Sequence, residues 1–380
     1  MRGIKRGDRA DSKAGDKMRL HHEKSETKIE SSLNQSVNNV SPTFCVAMLK
    51  NGSTVKIEGK AEEFLQTIKD ADFAWINVQV DDLKEEGSKV ASMLGFNPSI
   101  VGELESQRFS GYDDHTTELG LLLPAVRVRE LEVEINKLII LIKSNLIVTI
   151  HGEHITRLVK FARYAVTSFK KVPKNLDDVD KISLILIRIL DENNERNFDG
   201  IRAIQEQGEK ISKYLIQPSA PRQELGGDIY KMKHALISYL EALWATLDVV
   251  HYLRYGDAEL ITDDPIILQK VGMLSTDLTR QISISEQMST VLASGLEVLQ
   301  SIYNNQLTML NNRMSMIAVW MGVLGAAFIV PNTIATIFGT PISEHINWQT
   351  QLIIIVLSTL FSGLFAYWLF KKKGLIPKVE

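Results

Sequence analysis

Two charge-free runs near the end of the chain constrain it most. Residues 314–343 contain no Asp, Glu, Lys or Arg, and residues 348–370 contain no charged residue. Each run exceeds the ~20 apolar residues that cross ~30 Å of hydrocarbon. The segment between them, Thr340-Pro-Ile-Ser-Glu-His-Ile-Asn347, is too short for a domain and too polar for a bilayer core. Two spanning helices joined by a hairpin are therefore expected. Their position argues against a signal peptide.

Lys and Arg give the orientation. The hairpin has neither, Arg313 precedes the first run, and Lys371-Lys372-Lys373 follows the second. The positive-inside rule then places both ends of the pair in the cytoplasm and the hairpin outside. Trp348 and Tyr367-Trp368 sit near the ends of the second run, where interfacial aromatics belong. The expected location is a cell membrane, plasma or inner, with both termini cytoplasmic.

The preceding residues read as a water-soluble region with room for one or two domains. Net charge is −3, which gives no reason to expect a nucleic-acid partner. A single cysteine, Cys45, excludes an intrachain disulfide and a multi-cysteine zinc site. Residues 1–40 carry no Phe, Trp or Tyr and many charges of both signs. Such a stretch cannot bury enough apolar surface to order itself, so residues 1–42 are expected to form a disordered tail.

From residue 43 the pattern is strand-like. Short β-rich runs at 44–49, 53–57 and 73–80 are bounded by Asn51-Gly52, Gly59 and Asp81-Asp82. An amphipathic helix is expected over 82–94, ended by Gly95, and another starts at Asn97-Pro98. Strands return at 119–129, 132–142 and 146–150. Helices among strands indicate a cytoplasmic α/β sandwich domain over 43–165. A helical region follows at 166–264. Asp264 can cap a helix whose first residue is Pro265, and no proline recurs until Pro331. One helix is therefore expected from Pro265 to about Phe338, ~110 Å at 1.5 Å per residue. It divides into a stalk (265–313) and a first span (314–339). A loop (340–347), a second span (348–370) and a basic tail (371–380) complete the chain. The class is α+β.

This order of elements resembles the CorA-type magnesium transporters over residues ~43–374. The resemblance is carried by Trp75-Ile-Asn in a strand, by Gln107-Arg108 followed by Tyr112-Asp113-Asp114, and by Asn145-Leu-Ile-Val-Thr-Ile-His151. Leu190-Asp191, Phe328-Ile-Val-Pro331, Phe338-Gly339 and Phe370-Lys-Lys-Lys continue it. It implies a homopentamer in the lipid bilayer, first spans lining a central pore, and a cytoplasmic funnel that magnesium holds closed. Mg2+ is then both the transported ion and a regulatory one. The resemblance also marks Glu103 as a ligand of an intersubunit magnesium site, with Asp277 of the stalk the nearest partner acid and Asp263 and Asp264 as others.

At the outer mouth the family carries Tyr-Gly-Met-Asn, where this chain has Phe338-Gly339-Thr340-Pro341. Pro341 offers no amide to a hydrated cation. Recognition would then rest on Phe338 and Gly339 carbonyls, the Thr340 hydroxyl and the charge of Glu344. Five copies of Glu344 would form an acidic ring that concentrates cations. His345 reads as a solvated loop residue.

A three-and-four spacing along the long helix picks out Asn305, Thr308, Asn312, Ser315, Val319, Gly322, Ala326, Val330 and Thr333. Amides and hydroxyls at one end and small or apolar residues in the middle suit a cation that keeps most of its water. The same residues also suit plain helix packing. Pro331 frees a carbonyl, which Asn332 or Thr333 can satisfy, and Asn332 is an alternative source of the pore amide missing at 341. His151-Gly-Glu-His154 reads as structural. No phosphate loop, zincin helix or nucleophile elbow points to an enzyme. Magnesium transport is the leading expectation. The alternatives are a zinc or other transition-metal transporter of the ZntB type, with cobalt also a candidate cargo, and a non-conducting membrane sensor.

Overall fold

The structure is a computed structural model that describes residues 41–216, 222–255, 258–340 and 346–372. Residues 1–40 of the expected disordered tail, Pro341, Glu344 and His345 lie outside the described residues. Two compact units divide between Ala293 and Ser294.

The first unit is built on one seven-stranded mixed sheet. Its strands are β1 (Phe44–Leu49), β2 (Thr54–Glu58), β3 (Ala71–Gln79), β4 (Gly111–Asp114), β5 (Leu119–Arg129), β6 (Glu132–Lys143) and β7 (Leu146–His151), in the order 2-1-3-7-6-5-4. Only β3 and β7 pair in parallel, with Trp75 opposite Ile147 and Asn77 opposite Thr149. The long crossover between them carries helices, as a parallel pair requires. A 3-10 turn at Ala61–Phe64 runs into α1 (Leu65–Asp70); α2 (Glu85–Met93) and α3 (Pro98–Ser106) follow β3.

Side chains alternate across the sheet, so each face has its own core. On one face Ala74, Ile76, Val78, Val148 and Ile150 pack with Ile100, Val101 and Leu104 of α3 and Ala91 of α2. On the other, Trp75 lies edge-on to Phe44 (5.0 Å) and tilted against Phe161 (5.3 Å), and Phe73 stacks on Phe169 (5.0 Å). Phe161 and Phe169 belong to α4 (Arg157–Lys170). The expected boundary at residue 165 therefore falls inside a helix that covers the sheet. The sandwich also takes in α5 (Asp178–Ile216) and α6 (Arg222–Tyr255), which pack on β5. They also pack on each other and, through α5, on α4, so these helices and the sheet form one compact unit. Arg157 ties the layers: it donates to the carbonyls of Val126 on β5 and Asn193 on α5, and to the side chain of Asn197.

α7 (Pro265–Phe338) is a single helix of 74 residues. Asp264 Oδ1 accepts from Ile266 N at 2.7 Å, which satisfies an orphan donor at the helix start. Leu274, Leu278 and Ile282 of α7 are buried within the first unit. The second unit holds the rest of α7 and α8 (Trp348–Lys372). In the most apolar window of each helix only 11% is buried, so these are not core helices of a water-soluble protein. Leu324, Phe328, Leu360, Phe361 and Leu364 are all more than half exposed, as lipid-facing side chains are.

Candidate ion pathway and metal centre

Within the second unit, α8 covers one stripe of α7. Val323 and Pro331 are buried, and Ala327 lies between them at i+4 spacing. Across from them Ser362 and Ala366 of α8 are buried. A Cβ on Gly363 would lie 3.5 Å from the Ala327 Cβ, so small residues bring the backbones close. Pro331 lies inside α7 and cannot donate to the carbonyl of Ala327 four residues earlier. Ser362 Oγ donates to that carbonyl at 2.9 Å. Neither Asn332 nor Thr333 does so; Thr333 Oγ1 instead bonds Ile329 O at 2.9 Å.

This packing locates the expected pore stripe. At ~100° per residue, its membrane part lies roughly a quarter turn from the stripe under α8. Val319 and Ala326 are half-covered, and a Cβ on Gly322 would meet the Phe370 ring at 3.5 Å. Val330 and Thr333 are exposed, as are Asn305, Thr308, Asn312 and Ser315 nearer the stalk. The side of α7 turned away from α8 carries Met321, Gly325, Asn332 and Thr336, all exposed. Asn332 is the only side-chain amide in residues 314–340. At the end of α7, Thr340 Oγ1 donates to Ile337 O at 2.6 Å and Gly339 N to Ala335 O at 3.1 Å. Phe338 closes the helix, and Glu344 falls outside the described residues.

In the first unit, Glu103 stands at the C-terminal end of α3 beside the short strand β4. Its carboxylate groups with Asp113 and His115, ligand atoms lying within 4.8 Å of one another. His115 Nε2 is 3.1 Å from Asp113 Oδ2. Sequence reasoning missed Asp113 and His115 as Glu103 neighbours, although their i,i+2 spacing puts both on one side of an extended strand. Asp277 is not part of this group. It faces Asp191 on α5, whose carboxyl is raised by burial and then by the charges of Glu195 and Asp277, with Arg188 opposing.

His151 ends β7 fully buried. Its Nδ1 lies 2.7 Å from Gly152 O and its Nε2 3.1 Å from Asn77 Oδ1. Asn77 also accepts from Thr149 at 2.7 Å and donates to Pro42 O at 2.7 Å. These contacts tie β3 to β7 and to the segment that leads into β1, and give His151 a structural role. Burial lowers its pKa to about 4. The unfolded chain therefore takes up the proton first on acidification. The stability this site contributes is complete above pH ~6.5 and declines as pH falls towards 4. Replacement by Asn should flatten the acid limb of stability against pH between those values, measured by thermal unfolding in detergent. An unchanged slope would contradict the assignment.

The family described as CorA-like Mg2+ transporter protein matches residues 70–372. No curated protein sequence matches the chain. Among solved structures, the CorA magnesium transporter of Methanocaldococcus jannaschii is similar, with TM-score 0.66 and 18% identity over 88% of this chain and 98% of that one. The full-length CmaX protein gives a TM-score of 0.58 and 14% identity over 87% and 98%. The ZntB cytoplasmic domain of Vibrio parahaemolyticus gives 0.52 and 12% over 70% and 99%. At these identities the likeness is one of fold.

Proposed function

We propose, from the premise that this chain belongs to the CorA-like Mg2+ transporter family, that it conducts magnesium through a pore formed between copies of its first span. The family makes it a membrane transporter of divalent cations rather than an enzyme. Magnesium as the ion, five copies around the pore, cytoplasmic termini and a metal-held funnel are our readings. The observation that carries the pore is the face of α7 turned away from α8. Asn332 and Thr336 sit there in the membrane part of α7, and polar groups at that depth belong against protein or water rather than lipid. Copies of α7 meeting on this face would give a narrow passage of neutral oxygens, which suits an ion that sheds water reluctantly. The stalk supports assembly too: Val291, Val298, Met309 and Leu310 are more than half exposed. The test is uptake into liposomes with magnesium, cobalt, nickel and zinc compared. Magnesium is expected to lead, and uptake of none of the four would end the transport reading.

Glu103, Asp113 and His115 are our candidate regulatory metal centre. Two carboxylates suit magnesium, and an imidazole beside them suits a transition metal. Millimolar magnesium should protect the stalk from protease, and Glu103→Ala should remove that protection. His115→Asn should leave magnesium protection in place but weaken binding of zinc about tenfold or more, by analogy with lost imidazole ligation. Equal cleavage of the native protein with and without magnesium would remove the regulatory role. A zinc-transport reading gains from this same imidazole, and the liposome comparison separates the two.

A further inference from the structure

We propose that Ser362 is a positioning residue for the pore helix, because its hydroxyl replaces the backbone donor that Pro331 lacks. The inference rests on the pore reading above and adds to it a residue on the other span. Pro331 interrupts the hydrogen-bond ladder of α7 at the carbonyl of Ala327. In hydrocarbon no water is at hand to satisfy that oxygen. The Ser362 hydroxyl reaches it at 2.9 Å from α8. Ser362 is only 8% exposed, and Pro331 is buried beside it, so the bond is shielded from competing donors.

The same hydroxyl has a second acceptor, Thr359 O in its own helix, at 3.2 Å. A serine carries one proton, so it serves one acceptor fully at a time. With the proton on Ala327 O, the turn of α7 from Ala327 to Pro331 is fastened to α8. With the proton on Thr359 O, that fastening is released while the hydroxyl keeps a partner. Asn332, Thr336 and the mouth residues Phe338–Thr340 follow directly on that turn. Other side chains at the contact, Val323 and Ala366 among them, bring no hydrogen bond. Ser362 therefore fixes where the polar part of the passage points, without touching the ion.

The experiment is a double-substitution cycle in the full chain, reconstituted in liposomes for flux and held in mild detergent for thermal unfolding. Ser362→Ala should lower magnesium flux about tenfold, since it strands a buried carbonyl. Ser362→Thr keeps the hydroxyl and should retain most of the flux. Pro331→Ala restores the backbone donor to Ala327, so adding it to Ser362→Ala should recover flux and raise the unfolding midpoint together. A merely space-filling serine would not be rescued by a change in the other helix. A Ser362→Ala protein that conducts like the native one, or one that Pro331→Ala fails to rescue, overturns the role of Ser362 and leaves the pore standing. A native protein that conducts no divalent ion overturns the pore reading, and the role of Ser362 in it.

Discussion

Asn332→Ala should cut magnesium flux about a hundredfold, ~2.7 kcal/mol of barrier at roughly 1.4 kcal/mol per tenfold. Asn332 is the sole side-chain amide of the first span. It lies exposed on the side of α7 away from α8. Each copy would contribute one amide oxygen to the water shell of a passing cation, and hydrogen bonds that feel a charge are worth more than neutral ones. Repetition around a symmetric pore multiplies the loss. Asn332→Gln keeps the amide and should retain measurable flux. Val330→Ala and Ala326→Gly, on the neighbouring stripe, should change flux little. Asn332→Ala with native flux would move the passage to another face of α7.

The largest stability effect is expected at Trp75. The ring is fully buried between Phe44 and Phe161, and its Nε1 donates to Thr149 Oγ1 at 3.0 Å. Trp75→Ala should cost ~3–5 kcal/mol, as large-to-small changes in close-packed cores do. For a unit of this size that is roughly a 10 °C fall in unfolding midpoint. Trp75→Phe should lose much less, since it fills most of the space. The loss follows from position rather than from the ring alone. Trp75 bridges β3 to α4, and Thr149 carries the contact onward to Asn77 and His151. A midpoint within a degree or two of native for Trp75→Ala would mean that α4 contributes little to the sheet.

Much of the fold can be read in the sequence because its signals are local. Asn51-Gly52 and Ser144-Asn145 mark turns between runs of β-rich residues, and both hairpins form there. Asp264-Pro265 and the absence of proline before Pro331 mark one long helix. Other elements depend on tertiary contacts. β4, Gly111–Asp114, is Gly-Tyr-Asp-Asp with no apolar alternation, and it becomes a strand because β5 offers an edge. α5 and α6 look like a separate bundle until the sheet face they cover is known. Helix period and residue chemistry pick out polar positions along α7. The sequence does not say which side α8 will occupy, because each span carries apolar residues on every face. In the proposed pore, that side decides whether Val319 and Ala326 or Gly325 and Asn332 would meet other copies. Ser362 shares the difficulty, since nothing local to it points to a carbonyl 35 residues away.

The account stands or falls on where the ion passes, and a thiol-block measurement reads this directly. Cys45 is buried, so the native protein gives a quiet background. Thr336→Cys and Val330→Cys, each in liposomes, are compared for magnesium uptake before and after a small positively charged thiol reagent. The account predicts that the reagent stops uptake through Thr336→Cys and leaves Val330→Cys conducting. Block at Val330→Cys with free conduction through modified Thr336→Cys would contradict it.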